Sequence, residues 1–204
     1  PWLSYRDIEI GMCPVRALRV AYTGELGWEL HHPIEMQNYL LDILLSSGKE
    51  FNLKLVGARA QNWLRQEKSY KAFGSDLGRD AGPFESNLSR FVDINKNFLG
   101  KDALLKRKTD VSCITLLIDG PKDIDPWGRE ALYNETEEVM LGRLTSAGYS
   151  VHFKRSIGIG YVKSSFSEVG TKLRIKIDDA FWNAEIVRDS PYDPENERVI
   201  DRAQ

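Results

Sequence analysis

The sequence predicts an α+β chain: a mixed α/β part followed by a small antiparallel β-barrel. Three observations carry this. Residues 1–109 combine a hairpin pattern with two helical periods. From Val111 onward, short strands recur at regular intervals between glycine, proline and aspartate turns, with no long helical period. The basic run Lys106-Arg107-Lys108-Thr109-Asp110 falls between the two patterns. Domain boundaries at 1–109 and 110–204 follow.

The elements are read in chain order. Residues 15–22 alternate apolar positions and predict a strand. A turn with two glycines, Gly24 and Gly27, leads to a second strand over 28–32 and makes a hairpin. On that return strand Trp28, Leu30 and His32 share one face, and Glu29 and His31 the other. Residues 34–47 place Met36, Tyr39, Leu40, Ile43 and Leu44 at helical spacing, with Pro33 before them and Gly48 after. A second helix is predicted over 56–68, with Val56, Ala60, Trp63 and Leu64 on its apolar face. Residues 71–90 are irregular, 90–94 predict a strand and 101–108 a short helix. The barrel strands are predicted at 111–118, 130–134, 138–145, 157–163, 171–177 and 180–188.

The 204 residues are 42 % hydrophobic and 28 % charged, which excludes disordered, collagen-like and low-complexity classes. A chain of this length buries roughly 70 % of its extended-chain surface. The net charge of −2 argues against a nucleic-acid partner, which calls for a basic excess. Residues 1–109 carry +3 and 110–204 carry −5, too small an imbalance to imply mutual docking. No apolar run approaches the ~20 residues of a membrane span, and no signal peptide opens the chain, so no membrane partner is expected. Cys13 and Cys113 are isolated, leaving one disulfide or two free thiols open, and a reducing compartment is the default. Residue 1 is Pro1 rather than methionine, which predicts a processed chain or a fragment.

Several chemistries find no support. His31 and His32 are adjacent on a strand and point to opposite faces, and His152 is alone, so no metal site is expected. No G-x-S-x-G elbow occurs. Gly158-Ile159-Gly160 begins like a dinucleotide fingerprint, but Lys163 holds the third glycine's place and the surroundings are strand-rich. Close packing in a barrel strand explains these glycines better.

The informative segment is Tyr22-Thr23-Gly24-Glu25-Leu26-Gly27-Trp28-Glu29. It is followed by Gly57-Ala58-Arg59, Leu64-Arg65-Gln66-Glu67-Lys68-Ser69-Tyr70, Phe73-Gly74-Ser75-Asp76 and Gly82-Pro83-Phe84-Glu85. Next come Phe98-Leu99-Gly100-Lys101-Asp102-Ala103-Leu104, Gly142-Arg143-Leu144-Thr145-Ser146, Gly158-Ile159-Gly160-Tyr161-Val162 and Pro191-Tyr192-Asp193-Pro194. In this order they resemble the glycine-cleavage T-protein (aminomethyltransferase) family over essentially the whole chain. The Glu67-Lys68-x-Tyr70…Phe73-Gly74 variant looks most like the folate-binding C-terminal region of dimethylglycine and sarcosine dehydrogenases. The resemblance implies the C-terminal part of a T-protein-like folate-binding α/β domain, followed by that family's barrel.

It also implies tetrahydrofolate as cofactor and transfer of a one-carbon unit from a small amine or methyl donor, giving methylene-tetrahydrofolate. A pterin edge presents adjacent N–H donors, which a carboxylate in a partly dry cleft accepts well. By resemblance Glu29 is that carboxylate; without the motif it reads as a solvated strand residue. Arg59 matches the folate-contacting arginine, whose planar fork suits carboxylate or carbonyl acceptors. Tyr22 matches a tyrosine lining the pocket. Trp182, in the last barrel strand, offers a stacking wall or, equally, barrel core. Arg65 and Lys68 are candidates to attract the folate's glutamate tail, but read more readily as solvated charges. Glu197 stands where the family commonly has a ligand-contacting tyrosine, so that contact is not carried over.

The family's catalytic aspartate lies in a half-domain that nothing in this chain matches, so neither Asp7 nor any other residue is assigned as catalytic. The expected partner is that upstream N-terminal half, on the same or a separate chain, and the isolated chain is expected to be inactive. No glycine fingerprint opens a flavin-binding βαβ unit here. Alternatives are a non-catalytic folate-binding or accessory module, or a dimethylsulfoniopropionate-demethylase-like relative. The expected location is cytoplasmic, or the mitochondrial matrix in a eukaryote.

Overall fold

The computed structural model describes residues 1–121 and 124–200. The chain forms two compact units: Pro1–Leu64 together with the tail that begins at Asp193, and Arg65–Tyr192. The boundary drawn at residue 109 falls inside the second unit. The reason is local: side chains of residues 65–86 hydrogen-bond directly to barrel residues.

The first unit holds a three-stranded antiparallel sheet in the order β1 (Tyr5–Ile10), β2 (Cys13–Leu18), β3 (Glu29–His31). The expected hairpin is β2–β3, in the register Arg16 to His31, Ala17 to Leu30 and Leu18 to Glu29. Strand β1 was not expected. It joins β2 through Gly11 and Met12, with Gly11 at φ 60°, the positive value the first central residue of a tight hairpin turn needs. One face of the sheet carries Cys13 and Val15 against Leu40 of helix α1 (Gln37–Ser47), with Ile10, Leu30, Tyr39 and Leu44 packed around them. Directly paired residues share a face, so Asp7, Arg16 and His31 occupy the other one. Helix α1 is preceded by a single 3₁₀ turn, Ile34–Met36, and ends at Gly48, close to the expected 34–47.

Helix α2 (Ala58–Glu67) departs from expectation in what it buries. Val56 precedes the helix and is 65 % exposed, so it is not part of an apolar face. The buried end is polar: Arg65, Gln66 and Glu67, continuing into Lys68 and Ser69. The helix stops at Ser69, whose left-handed φ of 53° lets its N–H reach the Gln66 carbonyl and the Tyr70 N–H reach the Arg65 carbonyl. Glycine is usual at such a stop. Here the Ser69 hydroxyl is held by Thr115 and by the Ser190 N–H.

The strand expected at 90–94 is absent. A 3₁₀ turn, Ser89–Phe91, occupies its start and Phe91 is exposed, so the alternation there meets no sheet. Helix α3 runs over Lys101–Lys106, two residues shorter than expected. The six expected barrel strands are all present: β4 (Val111–Ile118), β5 (Ala131–Tyr133), β6 (Met140–Ser150), β7 (Arg155–Lys163), β8 (Lys172–Ile177) and β9 (Ala180–Val187). They close an antiparallel barrel in the order β4-β7-β6-β5-β8-β9, with β4 pairing both β7 and β9. Leu116, Leu132, Leu144, Val162, Ile175 and Ile186 fill its interior. A final short helix, α4 (Glu197–Ile200), lies in the tail of the first unit.

Leu144 pairs with Gly160 and Ser146 with Ile159, so Thr145 is the extra residue of a β-bulge. At that crossing a Cβ on Gly160 would come within 2.9 Å of the Leu144 Cα, and a Cβ on Gly142 would overlap the Tyr161 carbonyl oxygen. Close backbone approach accounts for Gly142 and Gly160.

Candidate functional site

The motif residues fall into two physical groups. The first lies in the barrel unit and is buried. The Arg65 guanidinium is 2.7 Å from the Asp76 carboxylate, with side-chain exposures of 3 % and 0 %. Arg65 also donates to the Tyr70 carbonyl and to Ser146 Oγ, each at 2.7 Å. Asp76 accepts further hydrogen bonds from the Ala72 N–H at 2.9 Å and from the hydroxyls of Thr145 and Ser146, both at 2.6 Å. The bulge explains this convergence: in a regular strand, neighbours 145 and 146 point to opposite faces, whereas here both hydroxyls reach one carboxylate. Tyr161 donates to the Asp76 carbonyl at 2.8 Å and meets Ser86 at 2.8 Å; burial first of all pushes its hydroxyl pKa up to about 12. Glu67 accepts from Ser150 and from the His152 N–H. Lys68 is 2 % exposed. Arg65 and Lys68 are therefore not solvated charges, which corrects the sequence expectation. The burial of Arg65 is tolerable because a guanidinium and carboxylate that satisfy one another, with hydroxyls filling the remaining positions, offset much of the desolvation.

The second group lies in the first unit and stays accessible. Glu29 opens β3, with its carboxylate 3.5 Å from His31 Nε2, and its side chain is 53 % exposed. Tyr22 is half-buried in the ten-residue loop between β2 and β3. Arg59, in the first turn of α2, is exposed and lies with its guanidinium 5.2 Å from the centroid of the Trp63 ring. Trp182 belongs to the barrel unit instead: it sits on β9, half-buried, packed against the barrel core. Its indole faces Gly120, where an added Cβ would lie 3.1 Å from the ring. Asp7, which received no role from sequence, is bonded to Arg16 at 2.8 and 3.1 Å on the exposed sheet face; that hydrogen bond chiefly holds its carboxyl below the ordinary value.

The loop carrying Tyr22 has an anchor that sequence reasoning missed. Arg19, 6 % exposed, donates to the Gly27 carbonyl at 3.2 Å and to the Val199 carbonyl at 2.9 Å, and its guanidinium stands 5.6 Å from the Trp28 ring centroid. No local pattern announces a partner 180 positions away. Both cysteines are free and buried. Burial pushes the Cys113 thiol up to about 12, outweighing the lowering influence of Lys71. Among the described residues no cluster of His, Cys, Asp and Glu is placed to hold a metal ion, and no helix is long and apolar enough to cross a membrane.

A three-stranded α/β unit and a closed six-stranded barrel, joined through a helix with a charged, buried end, define a two-part chain. Comparison with known proteins matches both parts. The family model for the GCVT N-terminal domain covers residues 1–96, and that for the glycine cleavage T-protein C-terminal barrel domain covers 112–193. Mouse mitochondrial dimethylglycine dehydrogenase is 35 % identical over 195 residues, 92 % of this chain and 22 % of that protein. An aminomethyltransferase from Caldanaerobacter subterraneus is 31 % identical over 175 residues, 85 % of this chain and 46 % of that one. The crystal structure of glycine cleavage system aminomethyltransferase T from Bartonella henselae superposes with a TM-score of 0.78 at 22 % identity, over 88 % of this chain and 50 % of that chain. The chain belongs to the glycine-cleavage T-protein (aminomethyltransferase) family. It spans about a fifth of the dehydrogenase relative and about half of the aminomethyltransferase.

Proposed function

We propose that the chain is the C-terminal portion of a tetrahydrofolate-dependent one-carbon transferase acting on a methylated glycine derivative or aminomethyl donor. The observation that supports this most directly is the contrast within the family-matched sequence. Arg65, Glu67 and Asp76 are engaged with their own chain, whereas Glu29 and Arg59 remain accessible. Accessible charge on a rigid strand and at a helix start is available to a ligand; buried, paired charge is not.

The donor set fits folate chemistry. A carboxylate accepts from adjacent pterin N–H groups, and a guanidinium fork pairs with the acceptor atoms of a ring carbonyl or a glutamate tail. Bound tetrahydrofolate supplies the nitrogens that receive the one-carbon unit. On this reading Glu29 orients the pterin, Arg59 pairs with its acceptors and Tyr22 lines the pocket. Trp182 lies in the barrel unit, where its packing suits barrel core. The upstream half-domain is the proposed partner, expected to complete the pocket around Glu29 and to bring the catalytic aspartate. A cytoplasmic or, in a eukaryote, mitochondrial-matrix location accompanies the reading, in keeping with the mitochondrial dimethylglycine dehydrogenase relative.

The test is a tetrahydrofolate titration of the chain joined to its upstream segment. Glu29→Gln is expected to weaken binding by about 10- to 100-fold, the worth of a charge-assisted hydrogen bond. Unchanged affinity removes Glu29 from the site. Calorimetry of the 204-residue chain alone is expected to show no micromolar binding. A second reading is a folate-binding or accessory module without turnover of its own. Folate affinity retained with no turnover in the joined protein would select it.

A further inference from the structure

The tail of the first unit returns to the hairpin loop at two points. Arg19 ends β2's run toward the loop. Its buried guanidinium bridges the Gly27 carbonyl on the far side of the loop and the Val199 carbonyl in α4. The second point is ionic: Arg198 Nε lies 2.9 Å from the Glu25 carboxylate at the loop's centre. The tail is itself braced, since Asp193 accepts from the N–H groups of Glu197 and Arg198 and so caps α4. Val199 is fully buried. The ten-residue loop between β2 and β3 thus has its base, its middle and its exit tied either to itself or to residues 198–199.

We infer that residues 193–200 act as a strap that positions the loop bearing Tyr22 and leading into Glu29 for ligand, with Arg19 as the positioning residue at its buried end. The inference rests on the proposed folate site. Arg19 is chosen over the Glu25–Arg198 pair as the principal tie for a physical reason. Arg19 itself and its Val199 contact are buried, its Gly27 contact is half-buried, and a planar fork can serve both carbonyls at once. The Glu25–Arg198 pair is solvent-exposed and screened, and contributes less.

The test uses the chain joined to its upstream segment, with two readouts. Arg19→Lys keeps the charge but cannot span both carbonyls. Hydrogen exchange of the amides at 20–28 is expected to quicken, with that of β4 and β7 unchanged, and tetrahydrofolate affinity to fall about tenfold. Turnover at saturating folate is expected to hold, since Arg19 touches no ligand. The exposed-pair variant Arg198→Gln is expected to give a smaller change of the same kind, and the swap Glu25→Arg with Arg198→Glu to restore it. This arm remains informative if Arg19→Lys folds poorly. Unchanged exchange at 20–28 in both variants overturns the strap. Quickened exchange with unchanged affinity overturns its positioning role, provided Glu29→Gln weakens binding in the same assay. If Glu29→Gln also leaves affinity unchanged, the folate reading has failed instead, and exchange alone decides whether the tail holds the loop.

Discussion

The two units use charged residues in opposite ways. In the barrel unit, Arg65, Asp76, Thr145 and Ser146 form a dry lattice in which each polar atom answers another. In the sheet unit, Glu29, His31, Asp7 and Arg16 line an exposed face, where even the close Asp7–Arg16 pair stands in solvent. Arg65, Asp76, Thr145 and Ser146 come from motifs that carry the family resemblance, and so does Glu29. A motif charge that is buried and satisfied serves the fold, and one left accessible on a rigid element is open to a ligand.

The largest effect that would break this comparison is on stability. Asp76→Ala strands the buried Arg65 guanidinium and should destabilise the chain by about 3–5 kcal/mol in urea unfolding. Glu29→Gln should stay within about 0.5 kcal/mol of the parent, as an exposed substitution does. Equal losses would erase the distinction between the two groups. Gly142→Ala comes next, at about 1–3 kcal/mol for overpacking, because its Cβ meets the Tyr161 backbone, which cannot swing aside as a side chain could.

A smaller effect concerns acid. Burial raises the Glu85 carboxyl's pKa, but hydrogen bonds from Thr109 and Arg107, among others, outweigh it and hold the group below its ordinary value of 4.5. A depressed folded-state pKa contributes stability above the ordinary value and loses it as pH falls through the folded one. Glu85→Gln should therefore flatten the stability profile below pH 4.5; unchanged acid steepness would show that Glu85 contributes nothing to it. The smallest effect is a null one: with its thiol pushed up to about 12 by burial, native Cys113 should resist alkylation at pH 8 and react only after unfolding.

The barrel was legible because a half-buried strand alternates along its length. Lys172-Leu173-Arg174-Ile175-Lys176-Ile177 buries every apolar member and no charged one. Strand β1 was missed because an exposed edge strand needs no apolar face: five of its six residues are exposed. Residues 90–94 erred the other way, since alternation proposes a strand but cannot supply a neighbour. Arg65 and Lys68 looked solvated because what makes a charge buriable lies elsewhere in the chain. For Arg65 it is Asp76 eleven positions on and Ser146 eighty-one on. Glu29, Tyr22, Arg59 and Trp182 came from family resemblance, and the fold distributes them between two units, three in the first and Trp182 in the second.

The strap has a consequence for synthesis. The loop between β2 and β3 leaves the ribosome well before its buried tie, which is to a residue 180 positions downstream. At ~5–20 residues per second the loop waits roughly 9–36 s for Val199 to be made. A message truncated just after the barrel would release strands β1 to β9 without the turn that fixes the loop. A product that retains its whole sheet and barrel yet has lost its ligand would be the signature of such a truncation.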